Sequence, residues 1–142
     1  MTDKTLLFEL RRDEGFRENP YFCTAGKTTI GYGRNLDDVG ISRSEAEIML
    51  QNDVEAVAQD LDRAVPWWAE LPEPARRGLQ NMAFNLGISR LMKFKKMLAA
   101  LQGHDWDAAA AEAKDSRWYR QVGQRAERIC DLYLSCKEFT DG

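Results

Sequence analysis

The chain has one histidine, His104, and only three cysteines and four prolines in 142 residues. A lone histidine and cysteines without paired-ligand spacing leave no conventional metal site, and no glycine-rich phosphate loop precedes a helix. Neither metal nor organic cofactor is expected. Long apolar runs are also missing. Leu6, Leu7, Phe8 and Leu10 are cut off by Arg11 and Arg12, too short a stretch for a membrane span or a secretion signal. The chain is therefore expected to be cytoplasmic when made, with no stable membrane association. Three cysteines, Cys23, Cys130 and Cys136, cannot all pair within one chain, so free thiols in a reduced compartment are expected. Cys130 and Cys136, six residues apart in a helical segment and on different faces of it, read as core fillers. A basic excess is lacking as well: the net charge is −3, which argues against nucleic acid as a partner. The charge is unevenly spread: acids dominate the middle of the chain, whereas from Lys93 to Lys137 the lysines and arginines outnumber the acids.

What is present fits one folded domain covering residues 1–142. Hydrophobic residues are 44% and charged residues 30%, enough for a core and with no linker-like run. Leu6, Leu7 and Leu10 are spaced for a helix from Lys4 to Asp13 that Gly15 stops, which leaves Glu14 at its end. From Asn19 to Gly33, Tyr21, Phe22, Thr28, Thr29, Ile30 and Tyr32 alternate with turn residues and predict a small antiparallel sheet. Ser42 and Glu45 have capping-box spacing, and Ile48, Met49, Val54, Val57, Ala58 and Leu61 carry a long helix to Pro66. Beyond Pro74 the pattern is helical, with breaks at Gly87, Gly103 and Gly123 and a compact helix around Trp106. The expected fold is α+β and mainly helical: a small β lobe at about 14–41, a connecting helix at about 42–63, and a helical lobe at about 64–142 that includes the N-terminal helix.

A carboxylate at a helix end is ordinarily a solvated surface group, and composition alone does not distinguish Glu14. Its surroundings in sequence do. The run from Arg12 to Gly33 holds Asp13, Glu14 and Gly15, then Cys23, then Thr29, Ile30, Gly31, Tyr32 and Gly33. This run resembles the phage-type lysozyme family (glycoside hydrolase family 24), whose signature is a Glu, then an Asp or Cys, then a Thr at these spacings. The likeness continues through Ser44 to Glu47, Asn81 to Gly87, Ser116 to Tyr119, and Arg125. The stretch between Arg34 and Ser42 is short for the family, implying an abbreviated β lobe.

The resemblance implies a lysozyme-like fold and an enzyme, a muramidase of the endolysin type. Its substrate would be the β-1,4 bond between N-acetylmuramic acid and N-acetylglucosamine in bacterial peptidoglycan, cut with inversion, to lyse a host cell. It also implies a monomer held in the host cytoplasm until a holin-type breach releases it to the wall. Position by position, Glu14 becomes the general acid, at a place where partial desolvation would favour the protonated form. Cys23 faces the attacking water and Thr29 helps to hold it. Arg125 acts electrostatically on Glu14, while Phe84 and Asn85 line the substrate cleft between the lobes. Trp118 and Tyr119 read as core. Arg34 stands where many relatives have a histidine, with Asp38 as a partner by proximity only.

A thiol of ordinary pKa, about 8.5, is only about 3% ionised at pH 7, a factor of roughly 30. A general base typically contributes about 10² to 10⁴ in rate, so Cys23 can serve as base even unassisted. Alternatively it only hydrogen-bonds the water. Two other readings of the whole chain stay open: a catalytically silent wall-binding module that keeps the fold, and a lytic transglycosylase, whose anhydro product is lighter by one water.

Overall fold

The computed structural model describes residues 3–139. Eight α-helices and a three-stranded antiparallel sheet are found among them, so the protein is mainly helical α+β, as the sequence predicts. The chain divides into two compact units, residues 1–49 and 50–142.

The first unit begins with α1, Lys4–Glu14. Asp3 caps it by accepting from the N–H groups of Thr5 and Leu6, at 2.9 and 3.1 Å. Gly15, at φ 72°, ends it and donates its N–H to the Arg11 carbonyl. The sheet follows as β1 Arg17–Phe22, β2 Thr28–Gly31 and β3 Arg34–Asn35, in that spatial order. Tyr21 pairs with Thr29 and Phe22 with Thr28, but the register slips between Arg17 and Tyr21. Pro20, which has no N–H to give a ladder, falls in that irregular stretch.

Leu6 and Leu10 are exposed, and α1 buries no residue. One expectation about this part needs correction: the N-terminal helix was expected to group with the helical lobe, whereas it groups with the sheet. The physical reason is local: only Gly15 and Phe16 separate α1 from β1, and the Phe16 ring rests on Tyr32 with centroids 5.5 Å apart.

The long helix α2, Arg43–Ala64, opens with the reciprocal capping box its sequence promises. Ser42 N–H donates to Glu45 Oε1 at 2.8 Å, and Glu45 N–H to Ser42 Oγ at 3.2 Å. Its apolar series is not one buried face: Ile48, Met49 and Val54 are exposed, and burial is complete only at Leu61.

The second unit contains α3 Glu73–Leu86, α4 Ile88–Leu91, α5 Lys95–Gln102, α6 Trp106–Lys114, α7 Arg117–Val122 and α8 Gln124–Ser135. Gly87, Gly103 and Gly123 fall at helix ends, as predicted. Every buried apolar residue among those described lies in this unit, from Leu61 to Cys136. Cys130 and Cys136 are both fully buried free thiols, as core fillers should be. They do not fall on opposite sides of one helix, because α8 ends at Ser135 and Cys136 opens a 3₁₀ turn. All four tryptophans are here too. Trp68, Trp106 and Trp118 are buried, and the Trp67 indole is half-buried against the core. No helix among the described residues is long and apolar enough to cross a membrane.

Candidate functional site

The sequence-derived acid and water-handling residues all lie in the first unit. Glu14 is the last residue of α1, and its side chain reaches the turn between β2 and β3. A Cβ placed on Gly33 would stand 2.5 Å from Glu14 Oε2, 3.0 Å from Cδ and 3.4 Å from Cγ. The carboxylate therefore lies directly across a bare α-carbon. Glu14 is nonetheless exposed, so the partial burial expected at this helix end is not found.

Cys23 begins the turn that joins β1 to β2. Its N–H donates to the Lys27 carbonyl at 3.0 Å, and its carbonyl accepts from Gly26 N–H at 2.8 Å, closing the loop over a glycine at φ 77°. This curvature aims backbone N–H groups at the half-buried sulfur. The N–H of Lys27 first, then that of Ala25, with a smaller contribution from the Thr29 hydroxyl, holds the Cys23 thiol below its ordinary pKa against partial desolvation.

Thr29 is the one buried residue described in this unit, at 3% exposure. It lies in the central strand, and its hydroxyl proton goes to the Lys27 carbonyl at 2.9 Å. A hydroxyl has one proton and two lone pairs, so this bond leaves Oγ as an acceptor. Donation to a Cys23 thiolate would require turning that proton away from Lys27. The arrangement thus offers two acceptors, sulfur and Thr29 Oγ, on one side of the sheet.

Arg34 is a correction. Its partner is Glu45, not Asp38: Nη1 donates to Oε1 at 2.9 Å and Nη2 to Oε2 at 2.6 Å. Nη1 also donates to the Gly40 carbonyl, while Asp38 is occupied by Asn35 and Lys27. Arg34 and the two N–H and hydroxyl bonds from Ser42 hold the Glu45 carboxyl down at a pKa of about 2.

In the second unit, Phe84 and Arg125 line one cleft of about 300 Å³, together with Leu50, Val54, Arg77 and Asn81. Arg125 is fixed there by Asn81, with Nε donating to Oδ1 at 2.9 Å and Nη2 to the carbonyl at 3.4 Å. Asn85 faces elsewhere. Its Oδ1 accepts from the indole N–H of buried Trp118 at 2.8 Å, beside a neighbouring pocket lined by Arg90, Lys93 and Arg117. That bond leaves the Asn85 amide N–H₂ as a donor. Trp118 is core, as the sequence suggested, and Tyr119 is partly buried against it.

Sequence reasoning missed Gly33, Asn81 and the backbone amides around Cys23. The glycine had a visible signal in the run Thr29–Gly33. Backbone donors have none, since every residue but proline carries one.

Among the described residues no cluster of metal-ligating side chains occurs. A family model described as phage lysozyme matches residues 11–130. The chain is 29% identical to the pre-baseplate central spike protein of Enterobacteria phage T4, over 89% of this chain but only 27% of that protein. It is 28% identical to probable T4-type lysozyme 2 of Dictyostelium discoideum, covering 87% of this chain and 90% of the relative. It is 30% identical to an endolysin of Acyrthosiphon pisum secondary endosymbiont phage 1, covering 72% and 70%.

Proposed function

We propose, from the premise that the chain belongs to the phage lysozyme family, that it is a glycoside hydrolase degrading bacterial peptidoglycan. Within that activity it cuts the β-1,4 bond between N-acetylmuramic acid and N-acetylglucosamine with inversion, as one lysozyme domain. It lyses a host cell after release from the cytoplasm.

The observation that carries this reading is the pair of acceptors at Cys23 and Thr29. Inversion needs a water that gives up a proton on one sugar face while an acid protonates the leaving oxygen on the other. A water that donates one hydrogen to the Cys23 sulfur and the other to Thr29 Oγ keeps a lone pair free for the anomeric carbon. Thr29 can accept because its own proton is already placed on Lys27. The lowered pKa of Cys23 raises its thiolate fraction at neutral pH above that of an ordinary cysteine. Glu14, on a different element, supplies the proton to the leaving group. Phe84 offers a ring to a sugar face, Asn85 an amide donor to an acetamido carbonyl, and Arg125 a cation in the cleft that Phe84 lines.

Clearance of purified cell walls by the native chain and by Glu14→Gln tests the proposal. Native activity with a loss of at least ~10²-fold in the variant is expected. Wall binding without clearance by the native chain would mark a silent binding module. An anhydro product, lighter by one water, would mark a transglycosylase, and a retained anomer would overturn inversion.

A further inference from the structure

We infer that Gly33 is a positioning residue for Glu14, its bare α-carbon being the seat that sets where the acid's carboxyl sits. This rests on the assignment of Glu14 as the acid. Three successive atoms of the Glu14 side chain, Cγ, Cδ and Oε2, lie where any Cβ on residue 33 would touch or overlap them. The seat is held from both sides. On one side Gly15 ends α1, the Phe16 ring lies on Tyr32, and Arg17 pairs with Gly31. On the other, Arg34 is tied to Glu45 and Gly40, so the strand that leaves Gly33 is anchored.

A carboxylate at the end of a flexible chain yields more easily than a backbone so anchored. An added methyl group therefore moves Glu14 rather than the turn. Misplacing a catalytic group by about 1 Å can cost ~10²-fold in rate.

The neighbouring end of β2 contains a control. Gly31 has a similar φ, 67° against 75° for Gly33, yet a Cβ there meets nothing within 4 Å. Both Gly31→Ala and Gly33→Ala bear the cost of a side chain in the left-handed region. Only the second intrudes on Glu14.

Wall hydrolysis by the two variants is to be measured together with the ¹³Cδ resonance of Glu14 in glutamate-labelled protein, identified by its absence from Glu14→Gln. Gly33→Ala should lower kcat about 10²-fold relative to Gly31→Ala with KM changed by less than about threefold, and should shift the Glu14 resonance. Gly31→Ala should leave that resonance in place. An unmoved resonance in Gly33→Ala overturns the seat itself. A moved resonance with kcat equal to that of Gly31→Ala overturns the positioning role. If Glu14→Gln is fully active, the assignment of the acid fails first, and the resonance still reports the contact independently.

Discussion

In the proposed mechanism Cys23 handles the attacking water, and its titration follows from what surrounds the sulfur. Two backbone N–H groups favour the thiolate, so a rate that depends on thiolate rises as pH passes through the lowered pKa. The rising limb should lie below the ordinary thiol value of about 8.5. Cys23→Asp should stay active with that limb moved into the carboxylate range. Cys23→Ala should lose about 10²-fold, measured as kcat on purified walls across pH. Full activity in the alanine variant would remove Cys23 from the mechanism. The spacing from Glu14 to Cys23 to Thr29 was legible in the sequence, because a family signature preserves residue type and separation. The convergence of N–H groups on the sulfur was not, because it depends on the curvature of one turn. Arg34 shows the same limit: Asp38 is closer along the chain, but β3 and the start of α2 bring Glu45 closer in space.

The join between β3 and α2 is the element whose stability should respond to acid. Glu45 caps its helix through Ser42 and grips Arg34, which lowers its pKa to about 2 from an ordinary 4.5. A carboxyl with a depressed folded-state pKa stabilises the fold above its unfolded pKa, and that contribution is lost as pH falls through the folded value. The window thus runs from about pH 4.5 down to about 2. The side chain is 40% exposed, so solvent screening keeps the effect modest. Glu45→Gln should lower Tm at pH 7 by a few degrees and flatten the fall of Tm between pH 5 and 2. An unchanged acid limb would show the pair to be energetically idle. The capping box and glycine breaks were readable because local backbone chemistry dictates them. The exposure of Leu6, Leu10, Ile48 and Met49 was not readable, because periodicity marks an apolar face without saying what covers it.

Across the molecule, burial is unequally shared. The second unit holds the whole buried apolar cluster, including Leu79, Met82, Leu101, Ile129 and Tyr133, while Thr29 is the one buried residue described in the first. Local opening is easiest where few apolar contacts resist it. Amide hydrogen exchange should therefore be slowest in α3 and α8 and faster throughout β1 to β3, as followed by mass spectrometry of peptides. Equal protection in both units would contradict this. The α+β class and the helical second half could be read from composition and pattern, since summed propensity and periodicity survive small errors. The partition at residues 49 and 50, inside one continuous helix, left no mark in the sequence.

The placement of the four indoles decides what an optical melting experiment can see. With Trp67, Trp68, Trp106 and Trp118 all beyond residue 50, selectively excited tryptophan emission reports on the second unit and carries no indole from the sheet that holds Cys23 and Thr29. A single sharp fluorescence transition would therefore say nothing about whether the turn that holds Cys23 is still formed. A reporter in the first unit, such as the Cys23 thiol, is needed to learn whether activity fails before the emission changes.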